Sequence, residues 1–241
     1  GLGDESIIIS DTSLFSTTLN TLDANTTGEI DVSTVSTLTG NISEINSAYE
    51  SSSINGLGDE SIIISDTSLF STTLNALDAN TTGIVNAGSV TSLAGASETL
   101  SKVYDSSNVT GLGDEDVTLT DTSLSASTLS TLNGNTTGTV NAATVTTLTG
   151  AAAAVITVYD SSTISGLGNE KLTLSGNTSV ANANTLAADT TGVITATISE
   201  TDLATLVTLN ETTNAYSITV EDSSVTAAAL NTVNAATTVD V

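Results

Sequence analysis

Gly-Leu-Gly-Asp-Glu begins at residue 1, again at 56 and again at 111, and Gly-Leu-Gly-Asn-Glu begins at 166, so the chain repeats itself every 55 residues. Other positions keep the register: Tyr49, Tyr104 and Tyr159; Gly40, Gly95 and Gly150; Asp11, Asp66 and Asp121; and Asn-Thr-Thr-Gly from Asn25, Asn80 and Asn135. A fixed period of this size means that each unit is a supersecondary module that buries its apolar face against its neighbours. The boundaries fall at residues 1–55, 56–110 and 111–165, followed by a degenerate fourth unit and a partial half-unit over 166–241, all expected to form one continuous solenoid.

The third unit carries the local pattern most cleanly. After the Gly111-Leu112-Gly113 turn, Val117-Thr118-Leu119-Thr120 alternates as a strand does. Asp121-Thr122-Ser123 then offers N-cap oxygens for a short helix through Leu129 and Leu132, ending near Gly134. The first unit places Phe15, Leu19 and Leu22 on one helical face. Asn135-Thr136-Thr137-Gly138 reads as a turn and Thr139-Val140-Asn141 as a second strand. Val35, Leu38, Ile42, Ile45 and Tyr49 form a helical stripe, with Gly40 inside it marking a close backbone approach or a break into two short helices. A brief strand through Ile164 closes the third unit.

In the fourth unit Val180, Leu186 and Ala188 remain as apolar anchors, and Ile198, Leu203 and Leu206 suit a helix. Ser217 to Ser224 restates the strand and Asp-cap signal, which Asn231–Asn234 and Val239-Asp240-Val241 continue. The expected fold is an α/β solenoid: each repeat is two βα half-units, with parallel strands stacked along the rod and short helices on one face. The alternative is a right-handed parallel β-helix in which the helical pieces are loops.

Charge excludes several partners. Twenty-seven acidic residues oppose only Lys102 and Lys171, giving a formal charge of −25. Phosphate recognition needs clustered Lys and Arg, so nucleic acid is excluded, and so is an anionic bilayer surface. No apolar run approaches the roughly 20 residues of a membrane span, so no membrane insertion is expected. A hydrophobic fraction of 38 %, drawn from regularly spaced Val, Ile, Leu and Ala, separates the chain from disordered acidic tails. Nucleophilic catalysis has no base, because His and Cys are both missing. No enzymatic activity and no certain cofactor are expected.

Calcium is the sharpest ligand expectation. Asp4-Glu5, Asp59-Glu60 and Asp114-Glu115 sit in glycine turns. If equivalent acids stacked in a row, their repulsion would call for a bridging cation. The Asp11, Asp66 and Asp121 column is read as helix N-caps, and the tyrosine column as helix-edge packing.

Gly-Leu-Gly-Asp-Glu, the strand, Asp-Thr-Ser-Leu, Asn-Thr-Thr-Gly-Thr-Val-Asn-Ala and Thr-Leu-Thr-Gly together resemble the repeat arrays of very large secreted surface proteins of marine cyanobacteria, some of them associated with swimming without flagella. The resemblance covers about residues 1–192 well and the rest loosely. It implies an extracellular, cell-surface structural role as a spacer, coat or self-associating segment of a larger protein. It adds no catalytic residues. The alternative is an adhesin module that binds calcium or surface glycans along its acidic turns. In either case other copies of the same array are the expected partners.

Overall fold

A computed structural model describes residues 1–239 and 241. The expected continuation at 239–241 includes Asp240, which lies outside the described residues.

The first repeat forms β1 (Ile7–Ile8), β2 (Ser13–Phe15), α1 (Ser16–Asp23), β3 (Ile30–Asp31), β4 (Thr37–Gly40), α2 (Ile42–Glu50) and β5 (Ile54–Asn55). The second forms β6 (Ser61–Ile64), β7 (Ser68–Phe70), α3 (Ser71–Asp78), β8 (Val85–Asn86), β9 (Ser92–Gly95), α4 (Ser97–Asp105) and β10 (Val109–Thr110). The third forms β11 (Asp116–Leu119), β12 (Ser123–Ser125), α5 (Ala126–Asn135), β13 (Val140–Asn141), β14 (Thr147–Gly150), α6 (Ala152–Tyr159) and β15 (Ile164–Ser165). The remainder forms β16 (Lys171–Thr178), α7 (Val180–Asp189), β17 (Ile194–Ile198), α8 (Leu203–Leu206), β18 (Ala215–Ser217) and α9 (Ala227–Ala235). The arrangement is α/β, with four parallel sheets and short helices between strands. Among the described residues the pieces read as helical form helices rather than the loops of the β-helix alternative.

Two compact units divide the chain inside the third repeat: Gly1–Thr118 with Asn135–Gly138, and Leu119–Gly134 with Thr139–Val241. In the first unit β1-β3-β5 form one sheet and β2-β4-β6-β8-β10 another. Ile7 pairs with Ile30 and Ile30 with Ile54; Leu14 pairs with Leu38, Leu38 with Ile62, Ile62 with Val85 and Val85 with Val109. Each step returns the chain to a neighbouring parallel strand after 23 or 24 residues, one circuit. Ile30, Leu38, Ile62 and Val85 in these columns are 0 % exposed. Burying each such side chain contributes about 1.5–3 kcal/mol. The second unit keeps the same device: in β12-β14-β16-β17-β18, Leu124 pairs with Leu148, Leu148 with Leu172 and Leu172 with Ile194.

The circuit and the repeat have different lengths. Two 24-residue circuits fall seven residues short of the 55-residue repeat, so the repeat drifts against the circuit and equivalent strands of successive repeats do not pair. The set β2-β4-β6-β8-β10 takes two strands from the first repeat and three from the second. In the second unit, β12 and β14 come from the third repeat and β16, β17 and β18 from the fourth. The Ser-Leu strands β2 and β12 each stand at a sheet edge.

Several local expectations are corrected. The stripe from Val35 to Tyr49 is not one helix. Leu38 lies in β4, whose burial alternates, and the helix begins only at Ile42. Gly40 marks a close approach: a Cβ there would sit 1.9 Å from Ser16 Oγ, and at Gly95 2.0 Å from Ser71 Oγ, so each serine side chain would have to give way. A short strand that starts at the serine of the Asp-Thr-Ser segment comes before the helix, so Phe15 and Phe70 occupy the N-cap positions of α1 and α3. Phe15 is 63 % exposed and does not join Leu19 in the core. In the fourth repeat α7 buries Val180, Ala183 and Leu186, while Ala188 is exposed and Ile198 ends a strand.

Candidate functional site

The most repeated motifs meet each other. In the second repeat the Asn-Thr-Thr-Gly turn lies one circuit beyond the Gly-Leu-Gly-Asp-Glu turn and closes onto it. Thr82 N donates to Gly58 O at 2.8 Å, Thr81 Oγ1 donates to Glu60 O at 2.8 Å, and Gly83 N donates to Thr81 Oγ1 at 2.9 Å. The third repeat repeats these bonds: Thr137 N to Gly113 O at 2.8 Å, Thr136 Oγ1 to Glu115 O at 2.6 Å and Gly138 N to Thr136 Oγ1 at 3.0 Å. The fourth does so with Thr191, Thr190 and Gly192 on Gly168 and Glu170. The glycine ending each turn is obligatory by contact, since a Cβ on Gly83 or Gly138 would lie 2.3 Å from the Glu60 or Glu115 carbonyl oxygen.

The glutamates of these turns are buried at 0 % exposure: Glu60, Glu115 and Glu170. Each folds back onto its own glycine turn. Gly58 N donates to Glu60 Oε2 at 2.8 Å, Gly113 N to Glu115 Oε2 at 2.7 Å, and Gly168 N to both Glu170 oxygens at 2.9 Å. A tyrosine eleven residues earlier supplies a second donor: Tyr159 Oη donates to Glu170 Oε2 at 2.7 Å, and Tyr104 Oη donates to Glu115 Oε1. The corresponding pair, Tyr49 Oη of the first repeat and Glu60 Oε1 of the second, is buried without a hydrogen-bond partner among the described residues. Burial, the hydrogen bond to the carboxylate and its charge hold the Tyr104 and Tyr159 phenols above their usual range. At Tyr104 and Tyr159 the tyrosine column is thus more than helix-edge packing, because these two hydroxyls donate to buried carboxylates. The constant spacing of eleven between each Tyr and the following Glu is the sequence signal that reveals the pair.

The acids of the calcium expectation are placed apart. Asp4, Asp59, Asp114 and Glu5 are exposed, while Glu60 and Glu115 point into the turn core. Stacking does not align equivalent acids, because neighbours in the stack come from positions about 24 residues apart. Thr27 N, for example, bonds Gly3 O beside Asp4. Among the described residues no group of three or more His, Cys, Asp or Glu could hold a metal ion.

In the other acid column Asp66 caps a helix, but one that lies a circuit back rather than the one that follows it. Asp66 Oδ2 accepts from Ile42 N at 2.7 Å, at the start of α2 one circuit back. In the second unit Glu200 Oε2 accepts from Val180 N at 3.0 Å and Asp222 Oδ2 from Leu203 N at 2.6 Å. A carboxylate in this position satisfies an orphan amide and complements the positive end of the helix. Asp11 is exposed and caps no helix. Asparagines add a further tie between circuits: Asn20 Nδ2 donates to Glu44 O, and Asn75 Nδ2 to Thr99 O, both at 2.8 Å.

No helix among the described residues is long and apolar enough to cross a membrane. No protein family, characterised protein or solved structure matches the chain.

Proposed function

We propose that each unit is a run of solenoid coils and that the chain is a structural segment of an extracellular surface or matrix array, acting as a spacer or coat without catalytic activity. One observation carries this reading. The side chains that recur most faithfully, the Glu, Thr and Gly of the paired turns with Tyr104 and Tyr159, bond mainly to one another in holding adjacent circuits together, Tyr49 Oη and Glu60 Oε1 being the exceptions. A repeat that bound a ligand through its recurrent residues would leave their donors and acceptors open. The extracellular assignment draws on the resemblance to secreted surface arrays and on the acidic composition, which suits a salty exterior.

Length tests the proposal. With about 24 residues per circuit and a strand spacing of about 4.8 Å, one further 55-residue repeat adds about 11 Å of rise. Small-angle scattering on chains carrying one and two extra copies of residues 56–110 should show the maximum dimension growing by that increment each time. Growth by the diameter of a separate folded bead would overturn the solenoid reading. The calcium-binding alternative keeps one foothold in the exposed Asp59 and Asp114. A melting temperature raised several degrees by millimolar calcium over chelator would favour it, by preferential binding to the native state.

A further inference from the structure

Residues 1–28 and 56–83 differ only at Thr21 and Ala76, yet their environments differ sharply. Leu77 is 0 % exposed, whereas its twin Leu22 is half-buried. Ile62 and Ile64 are 0 % exposed, whereas Ile7 and Ile9 are half-buried; Glu60 is 0 % exposed, whereas Glu5 is exposed. Leu2 is 49 % exposed and borders an open cleft of about 730 Å³, lined also by Thr17, Thr18, Thr21, Leu22 and Asn25.

The chain itself contains what fits this face. Around residues 56–83 the cover is supplied by residues 36–50 of the preceding repeat. Strand β4 pairs along β6, with Ser36 O and Gly40 O accepting from Ser61 N and Ser65 N at 2.9 Å. Helix α2 packs beside α3 and receives its cap from Asp66. Tyr49 is the sequence counterpart of the tyrosines that donate to Glu115 and Glu170; it is itself half-buried and makes no hydrogen bond to Glu60. Around residues 1–28 each of these counterparts is missing: β1 has no strand on that edge, Asp11 has no helix to cap, and Glu5 has no tyrosine.

We propose that the open face of the first circuit, formed by Leu2, Glu5, Ile7, Ile9, Asp11 and Leu22, is a docking surface for another copy of this 55-residue repeat. The copy seats its counterparts of β4, α2 and Tyr49 there, in the register that the first repeat takes on the second. The near-identity of the two faces is the warrant: one set of side chains is seen both open and covered, and the cover has a known sequence. The inference deepens the spacer reading by naming the surface through which the array extends and the sequence that surface accepts.

The test extends the full chain in frame with one additional copy of residues 1–55 ahead of Gly1 and follows amide hydrogen exchange. Ser61 and Ser65 donate to the preceding repeat, so their twins Ser6 and Ser10 should exchange at least about tenfold more slowly in the extended chain than in the parent. A second extended chain, with Leu38→Asp in the added copy only, should return both amides to parent rates. Unchanged exchange at Ser6 and Ser10 in the first extended chain, with the rest of the molecule folded, overturns the proposal. Protection that rises with concentration in the unextended chain also overturns it, by assigning the face to a different surface of a second molecule. Either failure leaves the scattering increment for added copies of residues 56–110 to judge the spacer reading separately.

Discussion

Replacing Gly83 by Ala isolates the contact between the two recurrent turns. The added Cβ would stand 2.3 Å from Glu60 O, 2.6 Å from Glu60 C and 2.8 Å from Asp59 O. Ordinary carbon–oxygen contact begins near 3.3 Å, so one turn must retreat by about 1 Å. Thr81 Oγ1 to Glu60 O and Thr82 N to Gly58 O are both 2.8 Å, and that retreat carries them beyond hydrogen-bonding range. Two lost bonds cost about 1 kcal/mol each, and residual overpacking adds about 1–3 kcal/mol. The sum is roughly 3–5 kcal/mol, or about 6–20 °C in melting temperature for a chain of this size. Gly134 is the control, because a Cβ there meets nothing within 4 Å and the residue lies within α5. Gly134→Ala should therefore be neutral or stabilising by up to about 1 kcal/mol. Urea unfolding of both variants beside the parent decides the matter. If Gly83→Ala lies within about 0.5 kcal/mol of the parent, the turn–turn lock is not what binds the circuits.

Tyr159→Phe removes a donor from the fully buried Glu170 and should cost about 1–3 kcal/mol in urea unfolding, with a double-mutant cycle against Glu170→Gln showing coupling above about 0.5 kcal/mol. Asp66→Ala should destabilise by about 0.5–2 kcal/mol through loss of the α2 cap, whereas Asp11→Ala, at the exposed twin, should change stability by less than about 0.5 kcal/mol. Alkaline titration should show the tyrosines: burial pushes the Tyr216 phenol up to about 12, and Tyr104 and Tyr159 are raised as well. A raised phenol favours the protonated folded form. Its stabilisation is complete below the ordinary value of 10 and is lost as pH climbs from there toward the folded value, at no more than about 1.4 kcal/mol per pH unit for each tyrosine. Denaturation midpoints should stay flat on this account just below pH 10 and fall above it, with phenolate absorbance lagging behind that of the unfolded chain.

What the sequence discloses depends on whether a single period is at work. Val117 to Thr120 reads as a strand because apolar and polar residues alternate, and β11 buries Val117 and Leu119 accordingly; Leu129 and Leu132 mark α5 because both face the core on a helical repeat. The Val35–Tyr49 stripe misleads because Leu38 and Ile42 are four apart by coincidence. One ends in a strand and the other starts a helix, with Gly40 at the corner where Ser16 crowds the backbone. The site was legible in its parts only. Asn-Thr-Thr-Gly reads correctly as a turn, but nothing local says that it docks on Gly-Leu-Gly-Asp-Glu, since that contact depends on a circuit length that the 55-residue period conceals. The same concealment made the acids look stackable. Asp66 and Asp222 were recognisable as cap residues, yet their helices lie one circuit back, where sequence proximity gives no hint.

The mismatch between circuit and period also bears on how such a chain avoids tangling with itself. Arrays of near-identical modules risk exchanging equivalent strands between modules or between molecules, because each copy is a plausible substitute for the next. Here the twins Ile7 and Ile62 never stand side by side; Ile62 is flanked by Leu38 and Val85, residues of different local sequence. A strand that slips by one place meets a neighbour of different sequence, so heterogeneity within the repeat guards against register slips while duplication of the whole repeat stays permitted.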